Sequence, residues 1–253
     1  HTARPLYARD FTEPLFSTGS CVIIMSAYLG EKKSFCQSLG LDEATVAWAR
    51  FNSTFPVKNR PVILGSIGSM SLRNIESTLP RMIKAVAKIL DTRKNEKGLI
   101  HCVSYKIGQA IVDGLKGTPH ENRLIYPLKA DDREAAFIRH RESKEPTVLL
   151  SPSMMEGFDF ANDAARWQIV AKIPYPSLSD EQIRERLNRD QMWYNLETVK
   201  SVVQMTGRIV RSETDTGTTY ILDSDIESLL SKCRNAFPPW WMDAVVTPSK
   251  NRA

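Results

Sequence analysis

Apolar residues follow two alternating patterns along the chain. Short apolar runs bounded by Gly, Pro or charged residues predict buried strands, at 62–65, 99–103, 124–126, 147–150, 167–173 and 218–223. Between them, apolar positions three and four residues apart predict helices, at 31–39, 73–90, 104–115, 131–141 and from Asp180 onward. Pro80 is expected to break or kink the second helix. The alternation predicts an α/β fold with a mostly parallel sheet and helices on both faces.

The segment from 197 to 211 has two chemically different faces. At about 100° per residue, one face carries Val199, Val202, Thr206, Ile209 and Val210. The opposite face carries Glu197, Lys200, Gln204, Arg208 and Arg211, with Gly207 at its margin. We therefore predict one amphipathic helix that presents a glutamine and two arginines. Two guanidinium groups on a rigid face can stabilise the charge of a departing phosphoryl group, although a solvated polar face has the same pattern.

Three segments are expected at the carboxyl ends of strands, where open α/β sheets bind ligands. Ser104 and Tyr105 follow the strand 99–103, and they suit contact with a nucleic-acid backbone or base, although Ser104 also suits a helix N-cap. The segment 156–160 follows the strand 147–150. There Gly157 permits a tight turn, and Asp159 can hold a ribose, a catalytic arginine or a water, unless the segment is an ordinary turn. The helix with the two arginines is expected at the same edge.

Composition narrows the class of protein. The 253 residues are 42% hydrophobic and 25% charged, which is ordinary for a globular protein. No apolar run approaches the roughly 20 residues that span a bilayer. The net charge of +5 is compatible with a polyanionic partner. Four scattered cysteines without a C-x-x-C pair argue against a zinc or iron–sulfur site in this segment and favour buried, reduced thiols in an intracellular protein, in cytoplasm, nucleoid or nucleus.

Several motifs occur in a fixed order, and together they resemble the later motifs of superfamily 2 DNA helicases of the DinG/XPD-like branch. The matching segments are Ser26-Ala27-Tyr28-Leu29, Phe55-Pro56 with Asn59-Arg60-Pro61, 98–105, Glu156-Gly157-Phe158-Asp159-Phe160, Pro174-Tyr175-Pro176, 204–211 and Asp215-x-Gly217. The glutamine–arginine segment has the family pattern Q-x-x-G-R-x-x-R. The resemblance covers nearly the whole chain.

The resemblance implies a RecA-like second motor lobe at 61–253, preceded at 1–60 by the tail of a first lobe and a crossover. It implies that Arg211, with Arg208, reaches the γ-phosphate of ATP and that Gln204 orients the attacking water or senses the γ-phosphate. The remaining implied roles are ATP contacts at Gly157, Asp159 and Gly207, DNA contacts at Ser104, Tyr105, Lys106, Ser151 and Ser153, and coupling of hydrolysis to movement at Ser26 and Ala27.

The resemblance also implies the partners. ATP and Mg²⁺ would be held mainly by a first lobe, and the DNA would be single-stranded or forked, with movement from 5′ to 3′. Because the chain begins with His1 rather than Met, we expect a segment of a longer protein. Alone it is expected to be inactive and to bind no cofactor, and no metal site is expected within it.

Two departures from the family pattern favour a different interpretation. Tyr28 stands where the family has threonine, and no G-x-x-x-x-G-K-[ST] phosphate loop occurs. The acidic run that begins at Asp42 follows the Ser26 motif and no buried strand leads into it, so it does not qualify as a magnesium-binding box. The alternative is therefore a nucleic-acid-binding or regulatory module that keeps a RecA-like fold without catalysis. An RNA-directed helicase is a third interpretation.

Overall fold

The computed structural model describes residues 5–152 and 158–247. It divides into two compact units. The larger unit comprises Ser53–Ile173, Met205–Lys232 and Pro239–Ala253 and contains the sheet. The smaller unit comprises His1–Asn52, Pro174–Gln204 and Cys233–Pro238. Among the described residues, no helix is both long enough and apolar enough to cross a lipid bilayer.

The larger unit is built on a seven-stranded sheet whose pairings are all parallel. The strands are β1 (Val62–Gly68), β2 (Gly98–His101), β3 (Leu124–Ile125), β4 (Val148–Ser151), β5 (Trp167–Val170), β6 (Thr218–Asp223) and β7 (Val245–Val246). Their order across the sheet is β3-β4-β2-β5-β6-β1-β7. The predicted strands are thus confirmed, and β7 was not predicted because two valines after a tryptophan pair give no periodic pattern.

The helices are α1 (Glu13–Phe16), α2 (Lys32–Leu39), α3 (Ile75–Thr92), α4 (Tyr105–Gly114), α5 (Arg133–Glu142), α6 (Glu181–Arg189), α7 (Gln191–Thr206), α8 (Asp225–Cys233) and α9 (Pro239–Met242). The helices from α3 onward connect the strands, as parallel pairing requires, whereas α1 and α2 precede β1. α3 continues through Pro80, so the predicted break is wrong. Pro80 lies in the second turn, where only one intrahelical hydrogen bond is lost.

Two apolar clusters form the core of the larger unit. The first joins α3 and α4 to the sheet and is centred on residues such as Met82, Ile107 and Trp167. The second contains Phe160, Ile209 and Val210 with Leu99 of β2. The apolar face predicted for 199–210 is therefore confirmed, because all five of its residues are buried. Trp241 is also buried, and its indole N–H donates to Thr206 Oγ1 at 2.8 Å, which closes this side of the core.

The smaller unit contains the motif of Ser26 to Leu29 and the acidic run that begins at Asp42. Tyr28 is buried there and its hydroxyl donates to the carbonyl of Ala236. Burial raises the pKa of Tyr28 far above its usual range. Asp42 accepts a hydrogen bond from the N–H of Ala44 and so caps a short turn, which agrees with its rejection as a magnesium ligand. All four cysteines are free thiols, but Cys21 is exposed, contrary to the expectation that all are buried.

Candidate functional site

The helix that carries the glutamine ends earlier than predicted. α7 stops at Thr206, and Gly207 to Arg211 continue without helical structure. The prediction of one rigid helix from Gln204 to Arg211 is therefore wrong. Gly207 follows the last helical residue directly, a position where glycine commonly ends helices. Gln204 is half-buried and belongs to the smaller unit, whereas Arg208 and Arg211 belong to the sheet unit.

A buried polar network holds the end of α7 against the sheet. The amide of Gln168 in β5 donates to the carbonyl of Thr206 and to Thr219 Oγ1, both at 2.8 Å. Its oxygen then faces His101 Nε2 at 3.1 Å, so His101 carries its hydrogen on Nε2. Burial, helped by the nearby charge of Arg208, lowers the pKa of His101 to about 4. This histidine is therefore neutral at pH 7.

Gln168 and His101 were not singled out from the sequence. The available signal was a glutamine in a strand whose other residues are apolar. Such a side chain is buried in a parallel sheet, and a buried amide needs hydrogen-bond partners. The carbonyl of Thr206 is one of the helix-end acceptors that have no intrahelical donor, so Gln168 satisfies it.

Beyond the helix, the chain carries Arg211 to a cluster that we call the arginine–aspartate site: Asp159, Arg166, Arg211 and Asp215. Arg211 Nε donates to Asp159 Oδ1 at 3.0 Å, and the two side chains are 40% and 68% exposed. Arg166 Nη1 donates to Asp215 Oδ1 at 2.8 Å, and the Asp215 side chain is only 1% exposed. The predicted meeting of Arg211 with the segment of Asp159 is thus observed.

The arginine–aspartate site lies at the opposite end of the strands from the one predicted. Arg166 directly precedes β5, and its carbonyl accepts the N–H of Thr218, the first residue of β6. The site is therefore beside the amino ends of β5 and β6, and the prediction that Arg211 lies at the carboxyl ends is wrong. Asp159 and Arg166 thus belong to the amino side of β5, which a strand-end rule applied to the sequence does not anticipate.

The segment Ser104 to Lys106 does lie at the carboxyl end of β2. Ser104 caps α4 and accepts the N–H of Ile107 at 3.2 Å, as the helix interpretation predicted. Tyr105 is 39% exposed and Lys106 is exposed. The hydroxyl of Tyr126 donates to the carbonyl of Tyr105 at 2.7 Å, and the two rings lie 6.5 Å apart. This end of the sheet therefore offers an aromatic ring, a lysine and the N-terminus of a helix.

Other predicted site residues are placed differently. Ser151 is 1% exposed, so we do not retain it as a direct contact with a nucleic acid. Ser153 and Gly157 lie outside the described residues. Ser26 and Ala27 are exposed in the smaller unit, and Gly207 is exposed after α7. Within the described ranges, no group of three or more His, Cys, Asp or Glu side chains is placed to hold a metal ion.

Comparison with known proteins gives matches over most of the chain. A family model described as a helicase C-terminal domain matches residues 86–244. A probable ATP-dependent helicase of Methanocaldococcus jannaschii is 25% identical over 243 residues, which cover 87% of this chain and 36% of that protein. The regulator of telomere elongation helicase 1 homologue of Drosophila melanogaster is 34% identical over 82 residues, 27% of this chain and 8% of that protein.

Solved structures share the fold. An apo XPD structure covers 88% of this chain and 47% of its own, with a TM-score of 0.59 and 16% identity. The match to the structure of S. tokodaii Xpd4 covers 74% of this chain and 38% of that chain, with a TM-score of 0.52 and 18% identity. The chain thus spans less than half of each of these proteins. The predicted RecA-like α/β fold is confirmed.

Proposed function

The chain belongs to the helicase C-terminal domain family, as the resemblance of its motifs predicted, and we propose that it is the second motor lobe of an ATP-dependent DNA helicase. In this proposal a first lobe holds ATP and Mg²⁺, and residues 1–60 contain the tail of that lobe. The run 21–25 supports this assignment, because five consecutive apolar residues are exposed there. Such a run suits a strand of another domain.

Arg211 is the side chain that we propose reaches the γ-phosphate, and Arg208 is proposed to assist it. The observation that carries this assignment is the state of Arg211 in the arginine–aspartate site. Its backbone is fixed by Asp215, whereas its guanidinium has an exposed carboxylate partner. An exposed ion pair contributes about 0–1 kcal/mol, so a phosphate can replace Asp159 at little cost.

The described residues suit only one side of a nucleotide site. Arg211 and Arg208 supply positive charge, and Gln204 supplies an amide that can orient water. We propose that Gly207 and Asp159, with Gly157, line the same cleft. When bound, Mg²⁺ would neutralise phosphate charge on the side of the first lobe. On this lobe the chemistry is that of guanidinium groups stabilising negative charge.

We propose that single-stranded DNA contacts the carboxyl end of β2. The N-terminus of α4 presents backbone N–H groups and a partial positive charge, which favour a phosphate. Lys106 adds a charge and Tyr105 an exposed ring on which a base can stack. Ser26 and Ala27 would couple hydrolysis to movement. DNA rather than RNA, and 5′ to 3′ movement, are carried over from the family resemblance.

The test is Arg211→Ala in the full-length protein. We expect DNA-stimulated ATP hydrolysis to fall about 10³-fold or more, because an arginine of this kind contributes 10³–10⁵ to turnover, while ATP binding stays measurable. Arg184→Ala is the matched control, because Arg184 is an exposed arginine paired with Glu181 on α6. Unchanged turnover in Arg211→Ala would contradict the assignment.

A binding or regulatory module without catalysis is the second candidate. The absent phosphate loop in these 253 residues favours it. A phosphate loop and an aspartate–glutamate box upstream of His1 in the gene would decide for the motor. Unwinding assays on DNA and RNA duplexes would separate the RNA-directed alternative.

A further inference from the structure

Asp215 is a buried carboxylate that collects four hydrogen bonds. Its Oδ2 accepts the backbone N–H of Arg211 at 3.0 Å and that of Asn162 at 3.2 Å. Its Oδ1 accepts Nη1 of Arg166 at 2.8 Å and the N–H of Thr216 at 2.9 Å. The side chain is 1% exposed. A carboxylate is stable in such a place only when it is paired and fully hydrogen-bonded, as this one is.

The two carboxylate oxygens of Asp215 accept hydrogen bonds from different parts of the chain. Oδ1 faces Arg166, which neutralises the buried charge. Oδ2 joins two separate segments of chain, since it holds Arg211 on one side and Asn162 on the other. Asn162 has a left-handed backbone with φ 55° and follows Asp159 by three residues. One oxygen therefore fixes the backbone at Arg211 and close to Asp159, the two side chains that meet in the exposed pair.

The loop between Arg211 and Asp215 shows why an anchor is needed. Its residues 212–214 are exposed and have no regular secondary structure. The N–H of Asp215 contacts both the side-chain and the backbone oxygen of Ser212, at 3.2 and 3.3 Å. Among the described residues, the side chain of Arg211 pairs with the exposed Asp159, so the bond from its backbone N–H to the buried Asp215 anchors the start of this loop.

We infer that Asp215 is a positioning residue for Arg211: its Oδ2 fixes the backbone from which the guanidinium extends towards the nucleotide. This inference rests on the proposed function of Arg211. Asp215 itself touches no substrate in this scheme. Its effect on turnover is exerted through the direction of another side chain, and a misplacement of about 1 Å can cost roughly 10²-fold in rate.

The test is Asp215→Asn in the full-length protein. Asn keeps one acceptor oxygen but turns an NH₂ group towards backbone or guanidinium N–H donors. We expect kcat for ATP hydrolysis to fall about 100-fold and ADP affinity to change less than about twofold. The affinity for ADP with aluminium fluoride, which mimics the phosphoryl group in transfer, should fall in parallel with kcat.

The matched control is Asp163→Asn. The Asp163 carboxylate pairs with the same Arg166 at 2.8 Å, but its side chain is 93% exposed. This ion pair does not involve the backbone N–H groups of Arg211 and Asn162 that Asp215 holds. We expect its kinetics to equal those of the unaltered protein. If Asp215→Asn weakens ADP and ADP–aluminium fluoride equally, or only lowers the melting temperature, Asp215 is merely structural and the inference is overturned.

A measurement on the unaltered protein covers the case in which Asp215→Asn does not fold. Hydrogen exchange should show the Arg211 amide protected relative to that of Glu213 in the same exposed loop. Equal exchange would overturn the inference. The proposed function fails separately: if Arg211→Ala keeps full turnover, Arg211 is not the reacting arginine. If Arg211→Ala loses turnover and Asp215→Asn does not, only the positioning role is refuted.

Discussion

The two ends of the sheet in the larger unit are built from opposite kinds of interaction. At the amino ends of β5 and β6, side-chain charges meet in the arginine–aspartate site, and a buried carboxylate holds an arginine that is still exposed. At the carboxyl end of β2, the features are a capped helix N-terminus and an exposed tyrosine ring. The first arrangement suits a compact, highly charged ligand, whereas the second suits an extended strand with stacked bases.

A buried aspartate supports each end, and the comparison shows what each one fixes. Asp215 holds the start of an exposed loop. Asp223, the last residue of β6, accepts the N–H groups of Met70, Ile173 and Asp225, which follow β1, β5 and β6. It therefore ties three strand ends to one another. Both aspartates thus fix backbone, but the backbone fixed at the amino end carries the exposed side chain of Arg211.

The largest expected effect is a loss of ATP hydrolysis when the amino end is altered, without a loss of DNA binding. Arg211→Ala should remove ATP hydrolysis by about 10³-fold or more and leave the affinity for single-stranded DNA within about twofold, because no described DNA candidate contacts Arg211. Fluorescence anisotropy with a labelled oligonucleotide, without nucleotide, measures this affinity. A comparable loss of DNA affinity would show that the two ends do not act on separate ligands.

The reverse variant has a smaller expected effect. Tyr105→Ala should weaken the binding of single-stranded DNA by about 1–3 kcal/mol, which is the usual contribution of one stacked base. The affinity for ADP should stay unchanged. Tyr105→Phe keeps the ring and serves as the control, with near-normal affinity expected. If Tyr105→Ala binds DNA normally, the carboxyl end of β2 is not the DNA-contacting surface.

The sequence predicted the fold better than it predicted the site. The strands could be identified because a buried strand of a parallel sheet is a short apolar run, which local composition reveals. The limits of β6 were predicted at 218 and 223, as observed. A catalytic arginine was one of three partners that the sequence offered for Asp159, beside a ribose and a water, and the pair with Arg211 is the one observed. The end of the sheet at which the site lies was not predicted, because local apolar spacing does not indicate where Asp159 lies relative to the strands. The end of α7 was missed because its apolar spacing continues to Val210, beyond the last helical hydrogen bond.

The smallest expected effect concerns stability against acid, and it differs between the ends. His140, at the amino end, has its pKa lowered to about 4, first by burial. His101, at the end of β2, has its pKa lowered to about 4 in the same way. Asp223 has its pKa raised to about 6 by burial. The carboxyl end thus combines a histidine whose pKa is lowered with an aspartate whose pKa is raised, whereas the group compared with them at the amino end is a histidine.

Near pH 5 the folded and unfolded chains bind different numbers of protons at these three groups. The unfolded chain protonates both histidines, whose ordinary pKa is about 6.5, and leaves the aspartate ionised. The folded chain leaves both histidines neutral and protonates Asp223. Folding therefore releases two protons and takes up one, so these groups lower the free energy of unfolding by about 1.4 kcal/mol for each unit that the pH falls between roughly 6 and 4.

Single substitutions should change this slope in opposite directions. His140→Gln removes one released proton and should make stability nearly independent of pH in this window, as far as these groups decide it. Asp223→Asn removes the proton taken up and should roughly double the slope. Urea unfolding at several pH values measures both slopes, whatever the variants do to stability at pH 7. If His140→Gln leaves the slope unchanged, His140 is protonated in the folded protein, and the amino end lacks the buried neutral histidine that distinguishes it from the compensated carboxyl end.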